Sequence, residues 1–385
     1  MKQPLEIYIH IPFCVKKCNY CDFLSFPSDR NSIYAYMCQL VTELAGTARL
    51  CSGYEVSSVF IGGGTPSLIE EEYITAVLDT VRKRYRMSDR AEITIECNPG
   101  TLTAGKLAAY KEVGINRLSI GLQSADNAEL KMLGRIHTFE DFLKSYQAAR
   151  MQGFDNINVD LINCIPMQTL KNWKKTLKSV LMLKPEHVSV YNLIVEEGTP
   201  FCEMEKNGLL MLPDEDTQAE IDQYTREYLE KQGYGRYEIS NWARKGRECA
   251  HNKGYWTGVS YLGFGLGASS YFEGYRWSNS RSMDEYMKAD FNDLENSTAL
   301  IRKDMRRIDR KAAMEEFMFL GLRLVEGIST TRFLTQFGQR IESVYGDKLD
   351  KFIEEGFMTG NEFNYRFTER GMDVSNQLLS EFLLE

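Results

Sequence analysis

The sequence predicts an α/β fold: a partial (β/α)6 TIM-like barrel on a parallel sheet, then a smaller C-terminal α+β domain with the element order of a winged helix. Three observations predict it. Six short runs rich in β-branched residues punctuate the first half. Between them lie longer segments with helical spacing. After about residue 205 this alternation stops. Strand alternating with helix means βαβ units and a parallel sheet, and six units are too few for a closed eight-fold barrel.

The strands are expected at Glu6–Pro12, Ser57–Ile61, Ala91–Glu96, Arg117–Gly121, Ile157–Ile162 and His187–Leu193. Helical periodicity marks Ser32–Ala45, Glu70–Arg84, Thr103–Val113, Thr138–Gln152 and Leu170–Met182. Pro213–Gln232 reads as a charged helix, and Tyr234–Gly274 is rich in glycine and aromatic residues with little period. The C-terminal part reads helix (Ala312–Leu324), helix (Thr330–Phe337), helix (Gln339–Glu355), hairpin (Phe357–Thr368) and helix (Met372–Leu384). The hydrophilic stretch Asp284–Arg302 reads as a linker. The expected divisions are 1–235 for the barrel, 236–302 for a connecting segment and 303–385 for the C-terminal domain.

Composition narrows the function classes. Apolar residues make up 43% and charged residues 26%, as in an ordinary soluble globular protein. The net charge of −8 argues against a nucleic-acid binder, which needs a basic face. The third helix of the C-terminal part sets Arg340, Lys348 and Lys351 against Glu342, Asp347, Asp350, Glu354 and Glu355. Phosphates would repel it, so the module is read as packing or binding protein. No secretory signal or membrane-length apolar run is seen, and the expected location is cytoplasmic.

Nine cysteines without a signal do not suit a disulfide framework. Six (Cys38, Cys51, Cys97, Cys164, Cys202, Cys249) lie far apart and read as small buried hydrophobes. The other three form Cys14-Val15-Lys16-Lys17-Cys18-Asn19-Tyr20-Cys21, a C-x3-C-x2-C loop directly after the first strand. Three thiolates can each take one iron of a [4Fe–4S] cubane and leave the fourth iron open. An open iron can chelate the amino and carboxylate groups of S-adenosylmethionine (SAM), whose reductive cleavage yields a 5′-deoxyadenosyl radical. Lys16 and Lys17 favour thiolate over thiol. The alternative is zinc, which wants a fourth ligand. His10 could supply it, but it lies on the strand.

This motif, with an aromatic residue before its last cysteine, resembles the radical SAM superfamily. The flanking Tyr8-Ile9-His10-Ile11-Pro12-Phe13-Cys14 resembles one branch: oxygen-independent coproporphyrinogen III oxidase and the related HemW-type haem chaperones. The resemblance extends through most of the chain and implies a SAM site on the strand ends. Gly63, Gly64 and Thr65, in Gly62-Gly63-Gly64-Thr65-Pro66-Ser67, match the family's SAM loop, where close backbone approach and successive N–H groups would serve the ligand. Glu96, Gln123, Arg135 and Asp160 follow in the order of the family's SAM contacts. Arg135 could pair with a carboxylate through a two-point hydrogen bond. Tyr8 and Tyr20 would line the adenosyl pocket.

Within the branch, the oxidase pattern has a further cysteine two residues past the third and a long extension before the motif. Here that position is Phe23, and Cys14 arrives almost at once. Both departures favour the haem chaperone over the oxidase, which decarboxylates porphyrinogen propionates. His251-Asn252-Lys253-Gly254-Tyr255-Trp256 resembles the chaperones' His-Asn-x-x-Tyr-Trp motif. Its imidazole could ligate haem iron and its aromatic pair stack on a porphyrin; packing and hydrogen bonding is the alternative for such a histidine. Ser269 stands where relatives often carry a histidine. The resemblance thus implies a [4Fe–4S] cluster, SAM, and haem as cargo, with His251 the haem-site residue. It also implies a haem-accepting apoprotein and an electron-donor protein as partners. Whether the chain is an enzyme is left open by Phe23.

Overall fold

The computed structural model describes residues 2–384. Strands β1 (Gln3–Ile11), β2 (Tyr54–Gly63), β3 (Met87–Cys97), β4 (Arg117–Gln123), β5 (Ile157–Asn163) and β6 (His187–Asn192) pair in parallel in chain order. These are the six strands that the β-branched runs predict. Along each strand an apolar set packs under the covering helices (Leu5, Ile7, Ile9 and Ile11 on β1) and alternates with an inward set that is largely polar yet also buried (Glu6 and His10 on β1, Ser119 on β4, Asn158 on β5). In β4, every residue from Arg117 to Leu122 is buried.

The connecting helices follow equally local signals. Thr138 caps Phe139–Met151 through a reciprocal capping box with Asp141. Glu71–Arg84 opens on two acids and closes on three bases, complementing its dipole. Leu170–Leu181 turns Trp173, Leu177, Val180 and Leu181 toward the sheet.

The sheet continues past the six strands at both edges. On one side β7 (Gly235–Glu238) and β8 (Asn241–Ala243) form a hairpin, with β8 antiparallel to β6. On the other, β9 (Ser260–Phe264) pairs in parallel with β1, and β10 (Ser269–Phe272), β11 (Tyr275–Asn279) and β12 (Arg302–Arg307) extend it antiparallel. The stretch 236–302, expected as a connector, therefore supplies sheet strands on both flanks of the barrel.

The linker expected at Asp284–Arg302 is a correction. Helices Met283–Lys288 and Leu294–Ile301, with the turn between them, bury Tyr286, Phe291 and Ile301. The buried Glu43 carboxylate, on the first helix Arg30–Thr47, accepts hydrogen bonds from the Tyr286 hydroxyl (2.6 Å), Asn279 Nδ2 (2.8 Å) and Gly265 N (2.8 Å). A few apolar anchors and one buried acid outweigh the polar composition.

The C-terminal domain has its own core, drawn from Met318, Phe333, Phe337, Tyr345, Phe352 and Phe382 among others. Helices Arg310–Gly321, Thr330–Phe337 and Glu342–Glu354 pack on a small sheet of β13 (Ile328–Ser329), β14 (Met358–Gly360) and β15 (Asn364–Phe367). The expected last helix is instead two short ones, Glu369–Asp373 and Ser375–Ser380, broken at Val374 (φ −113°, ψ 20°). Arg276 grips Glu316 with two hydrogen bonds, 2.5 and 3.1 Å, tying the barrel's flank to this domain. Among the described residues, no helix is long and apolar enough to cross a membrane.

Candidate radical SAM site

The cysteine loop is a lasso closed on itself. Phe13 and Phe26 pair as a parallel bridge, Phe26 N donates to Pro12 O (2.9 Å) and Cys14 N to Phe26 O (3.2 Å). The loop tip is held from outside. Asn19 bonds through its backbone N–H to Leu133 O (2.9 Å) and through Nδ2 to Met132 O (2.8 Å). Gly134, at φ +76°, is the residue that permits this approach: a Cβ there would meet Asn19 Oδ1 at 2.9 Å.

Cys14, Cys18 and Cys21 are free thiols on one wall of a cavity of about 380 Å3. Its other walls carry Tyr20, Gly63, Gly64, Thr65, Glu96, Gln123, Arg135 and Asp160. Among the described residues no three His, Cys, Asp or Glu side chains converge as a single metal ion requires. A cubane, with one iron per thiolate, asks for sulfurs spread more widely. Three thiols around a mouth backed by polar side chains fit a cluster and a polar cofactor.

The strand ends aim the polar groups. Glu96 ends β3 and accepts from Gly63 N (2.9 Å). Burial, reinforced by Asp160 nearby, pushes its carboxyl up to about 8. Asp160 on β5 accepts from Ser119 Oγ (2.9 Å) and Asn158 Nδ2 (2.8 Å), and burial raises its carboxyl too. Gln123 sits at φ +74°, where the β4–β5 register shifts between Gly121 and Gln123. That bulge turns the side chain at the strand's tip into the cavity.

Three expectations change. The glycine loop does not offer its N–H groups to a ligand: Gly64 N donates to Ile11 O (2.8 Å), Thr65 N to Phe13 O (2.7 Å) and Gly63 N to Glu96. The Ile11 and Phe13 carbonyls and the Glu96 carboxylate claim these donors, so what the glycines contribute is close approach. The Arg135 fork is also engaged. Its Nη2 donates to Asn98 Oδ1 and Gly121 O (2.8 Å each), its Nη1 points at Cys18 Sγ (3.7 Å), and only Nε lacks a partner. Third, Tyr8 does not line the cluster cavity. Its hydroxyl bonds His10 Nδ1 (3.0 Å), and it faces a second chamber of about 200 Å3 behind Glu96.

The sequence reading missed Asn98, which links Thr65 Oγ1 (2.8 Å from its Nδ2) to Arg135. Asn before Pro99 at a strand end reads as a turn, so no local signal distinguished it. Tyr191 and Ser119, which line both chambers, were missed likewise.

His251 is not a free ligand. It is buried, with Nδ1 2.8 Å from Ser58 Oγ and Nε2 3.0 Å from Tyr255 OH, and its ring stacks on Phe60. Burial pushes its pKa down to about 3, which keeps it neutral. Its helix, Ala250–Trp256, closes the barrel's inner chamber: Glu92 accepts from Ala250 N and His251 N, and Gly254 packs directly on the Glu6 carboxylate. The reason for the correction is that both ring nitrogens are already bonded. The chain's four histidines are all buried.

A six-stranded parallel barrel with three thiols in the loop after its first strand defines a radical SAM protein, and residues 8–180 match the radical SAM superfamily. Residues 308–374 match the HemN C-terminal domain. The chain belongs to the HemW family, in the coproporphyrinogen III oxidase-like branch of that superfamily. It is 35% identical over 379 residues to the "Heme chaperone HemW" of Bacillus subtilis (strain 168), covering 98% of this chain and 99% of that one. It is 35% identical over 393 residues to the "Heme chaperone HemW" of Escherichia coli (strain K12), covering 99% of each. The solved coproporphyrinogen III oxidase (HemN) of Escherichia coli superposes with a TM-score of 0.84 at 24% identity, over 99% of this chain and 90% of that one; this likeness is one of fold. Membership in the superfamily implies a [4Fe–4S] cluster and SAM.

Proposed function

We propose that this protein is a haem chaperone that binds haem and delivers it to respiratory haem proteins in the cytoplasm, with Cys14, Cys18 and Cys21 holding the cluster. In this reading Tyr20, Gly63, Gly64, Thr65, Glu96, Gln123, Arg135 and Asp160 hold SAM, and Tyr8 acts from behind through the second chamber. An electron-donor protein and a haem-accepting apoprotein are its partners.

The observation that carries this reading is Phe23. At the position of the oxidase pattern's further thiol, the cavity's mouth carries an aromatic side chain that is 63% exposed. Ile194 stands on the same rim, 65% exposed, beside Lys16 and Lys17. Exposed apolar side chains flanked by cations suit a flat apolar macrocycle with anionic propionates. Full-length kinship to two proteins named haem chaperones agrees with it.

When bound and reduced, the cluster and SAM supply a 5′-deoxyadenosyl radical source. The chain's residues exclude water and position. Asn98 holds Arg135 against Cys18, Gly63 N–H orients Glu96, and Glu96, largely protonated at neutral pH, can donate a hydrogen bond into the cavity.

The test is anaerobic. Reconstituted protein is titrated with haem and, separately, incubated with reductant, SAM and coproporphyrinogen III. Saturable one-to-one haem binding without protoporphyrinogen supports the chaperone. Several equivalents of product per chain would make it an oxidase.

A further inference from the structure

We propose that the chamber behind Glu96 is a carboxylate-binding site whose cationic partner is Arg117. Arg117 opens β4 and is 1% exposed. Its side chain lines the chamber of about 200 Å3 with Ser119, Asn158, Ser189, Tyr191 and Asn252. Its Nε is a buried donor without a partner, and among the described residues its guanidinium makes no hydrogen bond and no ion pair within 4.0 Å. Arginine stays charged at any physiological pH and carries five N–H donors in a planar fork. A buried cation left with none of them satisfied is costly, and such groups are paired.

The nearby acids do not supply the missing partner. Asp160 already accepts from Ser119 and Asn158. Glu92 spends its oxygens on Cys249 Sγ (3.4 Å) and on Ala250 N and His251 N (3.1 and 3.2 Å). Glu96 accepts from Gly63 N at the far wall. What the fork lacks is an acceptor with two oxygens in a plane, which a carboxylate provides. The chamber of about 200 Å3 has room for several waters and so for a carboxylate on a short carbon chain. Because Glu96, Ser119, Asp160 and Tyr191 line both chambers, the carboxylate has two possible sources. It is a free small acid, or a short acidic side chain reaching in from a ligand at the cluster mouth.

The probe is carboxyl-carbon-13 propionate, observed by NMR with the reconstituted full-length protein at constant ionic strength in chloride. Saturable binding of one propionate per chain is expected, weakened at least tenfold in Arg117→Met. Should that variant misfold, Asn252→Leu, which fills the chamber wall and leaves Arg117 intact, is expected to weaken binding by a similar factor. No saturable binding to the native protein, or unchanged affinity in a folded Arg117→Met, would overturn the site. One-for-one displacement of propionate by SAM would also overturn it, by making the chamber the methionine end of the SAM site. Competition by haem but not by its dimethyl ester supports the site with a porphyrin propionate as occupant; competition by neither supports it with a free small acid.

Discussion

Arg135 Nη1 stands 3.7 Å from the Cys18 sulfur, while Nη2 of the same guanidinium is fixed by Asn98 and the Gly121 carbonyl. The guanidinium thus lies against one of the three thiols of the loop and on the wall of the same cavity. In Arg135→Lys the point charge survives but the fork does not. The cluster is expected to assemble, with SAM affinity lowered about 10- to 100-fold, the worth of a hydrogen bond to a charged group. Cluster absorbance and SAM titration read the two effects separately. Unchanged SAM affinity would remove Arg135 from the site.

Cys14, Cys18 and Cys21 each line the same cavity from one short loop. Replacing any one with Ala is expected to reduce bound iron from about four per chain to well under one after anaerobic reconstitution. Iron analysis checks this. Cys38→Ala, on an exposed cysteine remote from that loop in sequence, is the control and should keep its full complement.

His251 joins Ser58 to Tyr255 beneath the Phe60 ring. Its truncation leaves a buried cavity and strands two hydroxyls. His251→Ala is therefore expected to lose about 2–4 kcal/mol of stability by urea unfolding. A folded His251→Gln is expected to keep native haem affinity. Loss of haem in a variant with native stability would restore the imidazole as ligand.

Glu6 is buried under Gly254, and burial pushes its carboxyl up to about 9 from an ordinary 4.5. Between those values the native state binds more protons than the unfolded chain. Its contribution to stability is complete below about pH 4.5 and is lost as pH rises through 9. Glu43 and Glu96, raised to about 7 and about 8, behave alike at lower pH. Above pH 8 Glu6 remains, so Glu6→Gln should flatten the fall in melting temperature between pH 8 and 9. An identical pH profile would refute a protonated Glu6.

The six central strands are legible because their outward positions pack under helices, which writes short segments rich in Ile, Val and Leu at every second residue. The flanking strands are not. β12 reads Arg-Lys-Asp-Met-Arg-Arg, a charged edge strand with no apolar pattern to find. The cysteine triad is legible because its ligands lie within eight residues. Tyr8 is assigned to the adenosyl pocket by resemblance, and a resemblance carries a residue's order along the chain but not its depth below the rim. Tyr8 lies three residues short of the end of β1, about 10 Å below the rim. For His251, sequence carries the motif but not the two partners, Ser58 and Tyr255, that satisfy its ring.

The pairing of β9 with β1 has a consequence for biosynthesis. The ribosome releases the cluster loop early, yet the strand that precedes it lacks one neighbour until residues 260–264 have emerged. At about 5–20 residues per second that interval is roughly 12–50 s. The three thiols spend it beside a half-built sheet, and the loop that carries them is anchored on both sides only once the last parallel strand has locked the first.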